Sequence, residues 1–114
     1  MDRPLGAVER AAVAEFPELR TLIDLRDRGG WLFFRAGTGE LRGVRAWPQG
    51  FADALLVRGS HDAAALRGDH AGGVVWARDG CLVHVVNGLL DLPAPGAPGA
   101  PVLVRGSAPG LWTP

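Results

Sequence analysis

The sequence predicts an α+β or mixed α/β domain: N-terminal helices, a three-stranded antiparallel meander, then an α-β-α crossover, giving a mixed sheet with helices packed against it. Three observations predict it. Apolar residues recur at helical spacing across residues 4–28. Three short apolar runs bounded by Gly- or Pro-containing turns follow between Trp31 and Val57. Beyond them a helix-like run, a strand-like run and a second helix-like run alternate up to Leu92, the pattern of a right-handed crossover between parallel strands.

The first helical segment comes in two pieces. Pro4 suits a first helical turn, and Val8, Ala11, Ala12 and Glu15 follow the helical period. Pro17 lacks the N–H a continuous helix needs, so a break is expected near Phe16, with Leu19, Leu22, Ile23 and Leu25 as the second apolar stripe. Gly29 and Gly30 stop it. Trp31 to Arg35 is aromatic-rich and reads as a strand, Gly37-Thr38-Gly39 as a turn, and Leu41 to Trp47 as the strand that pairs back. Pro48-Gln49-Gly50 turns the chain into a third strand, Ala52 to Val57. Ser60 is a good helix N-cap, which predicts an alanine-rich helix over His61–Arg67 closed by Gly68. Val74 to Arg78 is the fourth strand. From Cys81 to Leu92 a hairpin across Asp79-Gly80 competes with a helix. Leu82, Val85, Val86, Leu89 and Leu90 share one helical face, and the length of the run favours helix despite Gly88.

Residues 1–92 therefore form one globular αβ domain. Residues 93–101 are a Pro/Gly/Ala-rich connector, read as extended, and residues 102–114 hold an edge strand at Val102–Arg105 and a C-terminal tail.

Composition limits function more than it names one. The chain of 114 residues carries twelve basic and twelve acidic side chains, and all the basic ones are arginine. Neither half is polarised, so the charge surplus needed to dock nucleic acid or an anionic membrane is absent, and neither is expected as a partner. Without lysine there is no Schiff-base chemistry and no phosphate-gripping P-loop lysine. Heavy use of Ala, Gly, Pro and Arg, all with GC-rich codons, is the signature of a GC-rich bacterial gene. One cysteine, Cys81, permits no internal disulfide, and neither a leader-like nor a membrane-length apolar run occurs, so a cytoplasmic location is expected.

The catalytic constellations each lack a part. Cys81 and His84 share a helical face, but zinc needs further ligands, and His61, Asp62, Asp69 and His70 supply no second tight pair, so no metal or cofactor is expected. Ser60-His61-Asp62 holds the letters of a hydrolytic triad, yet adjacent residues cannot form the relay, and a capping serine accounts for them. Gly37-Thr38-Gly39 and Gly72-Gly73 lack the following helix of a phosphate-binding loop. The predicted order α-β-β-β-α-β resembles the core of restriction-endonuclease-like nucleases. Glu40 and Asp53 fall near the acidic positions of such an enzyme, but Leu55 stands where its lysine would be. The resemblance implies a non-catalytic relative at most.

Two readings remain. Arginine and tryptophan recur together on predicted strands, as Trp31/Arg35, Arg45/Trp47 and Trp76/Arg78, and residues two or four apart share a strand face. Both types are enriched in interface hot spots. With Leu111 and Trp112 in the tail, they predict a small non-catalytic protein-binding or regulatory accessory protein that binds a protein partner or itself. Its binding residues would be Arg45, Trp47, Arg58, Trp76, Arg78 and Trp112. The alternative is a small enzyme or ligand-binding domain whose polar cleft gathers Asp53, His61 and His70, with Arg58, at the ends of parallel strands.

Overall fold

Each strand of the sheet pairs antiparallel with its neighbour in sequence, the first five through short turns and the last through a helix and a long connection, and no parallel crossover occurs among the described residues. The computed structural model describes residues 6–24 and 30–107. Two helices come first, α1 (Ala7–Glu15) and α2 (Arg20–Asp24), separated by a short 3-10 turn at Pro17–Leu19. The break at Phe16 falls where Pro17 requires it. Five strands follow: β1 (Leu32–Arg35), β2 (Leu41–Ala46), β3 (Ala52–Gly59), β4 (Asp62–Gly68) and β5 (Gly73–Gly80). The helix α3 (Leu82–Asp91) comes next, and a two-residue β6 (Gly106–Ser107) pairs with the start of β5. The sheet order is β1-β2-β3-β4-β5-β6.

The first three strands pair as the expected antiparallel meander, which continues through two more strands, and α3 is the helix that the run from Cys81 to Leu92 favoured. The predicted helix over His61–Arg67 does not form: that stretch is β4, hydrogen-bonded to β3 on one side and β5 on the other. Ser60 is no helix cap. It sits with His61 in the two-residue turn between paired Gly59 and Asp62. Alanine's helix propensity is a small preference, and seven residues cannot sustain a helix without packing. Sheet pairing on both sides outweighs it. As a result β3 and β4 are antiparallel, and among the described residues the sheet is wholly antiparallel and lacks the α-β-β-β-α-β order that carried the nuclease resemblance.

Two further corrections concern the C-terminal third. Val102–Arg105 is not a strand, and the edge pairing falls instead on Gly106–Ser107. The connector is folded rather than extended. The N–H of Ala97 donates to the Ala94 carbonyl (2.9 Å) and that of Ala100 to the Ala97 carbonyl (3.0 Å). Gly96 and Gly99 have φ of +84° and +83°. Each Ala-Pro-Gly-Ala repeat is thus a type II turn, with proline second and glycine in the left-handed third position. Leu25, Gly29, Leu111 and Trp112 lie outside the described residues.

The core lies on one face of the sheet. Alternation sends Phe33, Leu41, Leu55, Val57, Ala63 and Ala65 to the same side, where they meet Leu82, Val85, Val86 and Leu89 of α3. Ala12, Phe16, Leu19 and Leu22 from the N-terminal helices join this cluster. Small alanines on β4 let α3 sit close to the sheet. Gly43 serves a similar purpose on β2, since a Cβ there would lie 2.8 Å from the Phe33 ring, its cross-strand partner. The opposite face carries a smaller cluster of Ala54, Leu66 and Val74.

Candidate binding face

Strand register sets Arg45, Asp53, Arg67 and Trp76 in one row across β2 to β5, all on the helix-facing side. This row ends the apolar core. Arg67 is 1% exposed, Asp53 3% and Arg45 6%. The Arg67 guanidinium grips Asp53 with both forks: Nε donates to Oδ1 at 2.7 Å and Nη2 to Oδ2 at 3.1 Å. Its Nη1 donates to the Pro93 carbonyl at 2.5 Å, tying the end of α3 to the sheet. Trp47 closes the set. Its Nε1–H donates to Asp53 Oδ2 at 2.8 Å, and its ring lies 3.8 Å from the Arg45 Cζ and 5.4 Å from the Arg67 Cζ. A buried carboxylate with three donated hydrogen bonds is well satisfied, so these side chains are committed to one another within the fold.

The paired residues predicted from sequence thus have different surroundings. Trp31 is a core residue stacked near Phe33, with ring centroids 6.1 Å apart, and Arg35 pairs with Glu15 on α1 at 2.5 Å. Arg45 and Trp47 belong to the buried network, with the Trp47 ring half-buried. Trp76 and Arg78 lie at the sheet margin, half-buried, with the Arg78 Cζ 5.9 Å from the Trp76 ring. Together with Val75 and Ala77 they line a groove of about 530 Å³, whose other wall is the strap of Ala100, Pro101, Val102, Leu103 and Arg105. Gly88 explains how Arg78 is held. A Cβ at that position of α3 would lie 2.8 Å from Arg78 Cδ and Nη1, so the helix glycine leaves room for the arginine side chain.

Arg58 is elsewhere. It points to the opposite face near the β3–β4 turn, exposed, with Asp62 3.8 Å away. Trp112 lies outside the described residues. Nor do Asp53, His61 and His70 form a cleft. His61 and His70 flank the two ends of β4, a strand of seven residues spanning about 20 Å. Asp53 is committed to Arg67 and Trp47. His70 occupies the β4–β5 turn, where Asp69 Oδ1 accepts the N–H groups of Ala71 and Gly73. Cys81 and His84 are exposed at the start of α3, and the described residues contain no group of three His, Cys, Asp or Glu side chains placed to hold a metal ion. No helix among the described residues is long and apolar enough to cross a membrane.

A second polar cluster lies at the β1–β2 turn. Thr38, Gly39, Glu40, Arg42 and Arg58 surround an open hollow of about 610 Å³. The Thr38 hydroxyl donates to Glu40 Oε2, and Arg42 Nη2 donates to Oε1 at 2.9 Å. These bonds, with Glu40's own backbone N–H, hold its carboxyl at about 2, below its ordinary 4.5. A carboxylate whose folded pKa is depressed stabilises the fold above its unfolded pKa. That contribution is lost as pH falls from about 4.5 toward 2. The urea midpoint of the wild-type protein is therefore expected to fall more steeply across this window than that of Glu40→Gln, and parallel curves would show that Glu40 is not coupled to folding.

Arg67 is the structural residue that sequence reading missed. The predicted helix made it only the last residue before Gly68, and the β3–β4 register sets it opposite Asp53. An alternation test over Asp62–Gly68 would have found it, since Ala63, Ala65 and Arg67 fall on one strand face. Comparisons with protein families, curated proteins and solved structures found no match for this chain.

Proposed function

We propose that the chain is a small non-catalytic protein-binding domain with an accessory or regulatory role, docking its partner at the sheet margin through Trp76 and Arg78. One observation carries this reading: of the Trp–Arg pairs, Trp76/Arg78 lines an open groove, whereas Arg45/Trp47 is engaged by the buried network. Trp and Arg beside each other in a partly desolvated groove are the side chains that dominate interface energetics. The balanced charge of the chain favours a protein over nucleic acid or a membrane surface, and a cytoplasmic setting is part of the same reading.

Affinity purification tests it. Wild-type protein is expected to retain a partner that Arg78→Glu loses. Thermal melting should confirm that the variant is folded, because Arg78 is half-buried rather than part of the core. Equal recovery of the same partner by both proteins would refute the assignment of this margin.

A further inference from the structure

The geometry points to strand addition: the open outer edge of β5 accepts an extended segment of a partner protein in which acidic residues alternate with apolar ones. The inference rests on the protein-binding reading above and names the partner's conformation and chemistry.

The backbone supplies the first argument. β5 has eight residues, but β6 pairs only with Gly73 and Val74. From Val75 to Gly80 no described strand lies on its outer side. Every second residue of such an edge turns its N–H and C=O outward, a template for another strand. Edges are commonly blunted by Pro or a bulge. Here the register irregularity sets two β5 steps, Trp76 to Val74, against one β4 step, Arg67 to Gly68, so the bulge is confined to Val75 beside β6; Trp76–Gly80 beyond it pairs regularly and contains no proline.

The strap supplies the second. The Arg105 N–H donates to the Val74 carbonyl at 2.7 Å and fixes one end, while the tandem turns lead the chain out from α3. Between these anchors the strap stands off from β5 and leaves the groove of about 530 Å³, within the range of ligand clefts. Its Val102 and Leu103 remain 73% and 81% exposed. An inserted strand would present side chains alternately to these residues and to the Trp76–Arg78 face.

Charge supplies the third and selects the occupant. Arg78 and Arg105 line the groove, and none of the lining residues is acidic. Asp79, the nearest acid in sequence, pairs with Ala64 and falls on the opposite strand face from Arg78. An extended segment with acids at alternate positions meets both guanidinium groups while its backbone pairs with β5.

Peptide titration followed by NMR of the β5 amides tests this. The probe is a capped hexapeptide alternating valine and glutamate. The full chain is expected to bind it at least tenfold more tightly than the peptide with lysine for glutamate, and than the peptide N-methylated at alternate amides. Arg105→Gln and Gly88→Ala are each expected to weaken binding several-fold. The first removes an exposed charge, and the second displaces the flexible end of Arg78. Equal binding of the lysine peptide would overturn the charge assignment, and indifference to N-methylation would overturn strand addition. Binding only by a chain ending at Ser107 would assign the groove to the protein's own residues 108–114 and overturn a partner in trans. If no peptide binds either chain while Arg78→Glu still loses a partner in purification, strand addition fails and the protein-binding reading stands.

Discussion

Replacing Asp53 with alanine is expected to destabilise the domain by about 3–5 kcal/mol, the cost of leaving a buried guanidinium without its carboxylate. Arg67 is almost wholly buried, and both forks of its ion pair go to Asp53. The same substitution leaves the Trp47 indole N–H without its acceptor. Chemical denaturation measures the loss as a lower midpoint at unchanged slope. The companion experiment replaces both partners with apolar residues, Asp53→Leu with Arg67→Met. Because desolvating two charges costs about as much as their attraction returns, the double variant is expected to regain most of the lost stability. A single-variant loss under about 1 kcal/mol would mean that Arg67 reaches water or another acceptor once Asp53 is gone, contrary to its burial.

Leu82→Ala is the second large effect, expected to cost about 2–5 kcal/mol as a deleted core side chain. Leu82 is 0% exposed and opens the apolar stripe of α3. Its backbone N–H donates to the Ser60 carbonyl at 2.9 Å, so helix start and β3–β4 turn meet at this residue. Alanine is the better helix former, which isolates the packing loss from any propensity loss. Val83→Ala, one position along on the exposed face, serves as the control and is expected to stay within about 0.5 kcal/mol of wild type. Equal effects at the two positions would contradict the packing of α3 on the sheet.

The parts of this fold that were legible in the sequence are those where local chemistry and tertiary packing agree. Pro17 breaks the first helix, the residues around Gly37–Gly39 and Pro48–Gly50 turn the meander, and the stripe of Leu82, Val85, Val86 and Leu89 makes α3. The error at Asp62–Gly68 arose where they disagree. Three consecutive alanines favour a helix, while neighbouring strands and the need for a thin surface beneath α3 require a strand. That misreading hid the polar row, because Asp53 and Arg67 are fourteen residues apart and become partners only through register. It also made His61 and His70 look convergent when β4 holds them apart. The Trp–Arg pattern was legible as a pattern. What separates Trp76 and Arg78 from Arg45 and Trp47 is which margin of the sheet the strap and α3 leave open, and residue spacing does not encode that.

The antiparallel meander also governs how the chain reaches its native state. Each strand closes on the one before it through a short turn, at residues 36–40, 47–51, 60–61 and 69–72. Little loop entropy is lost at any step, whereas a parallel crossover would have to bring distant segments together before any pairing stabilised them. Each strand, once paired, is the template for the next. The sheet can thus lengthen vectorially from β1 to β5, with α3 and the strap closing over it last.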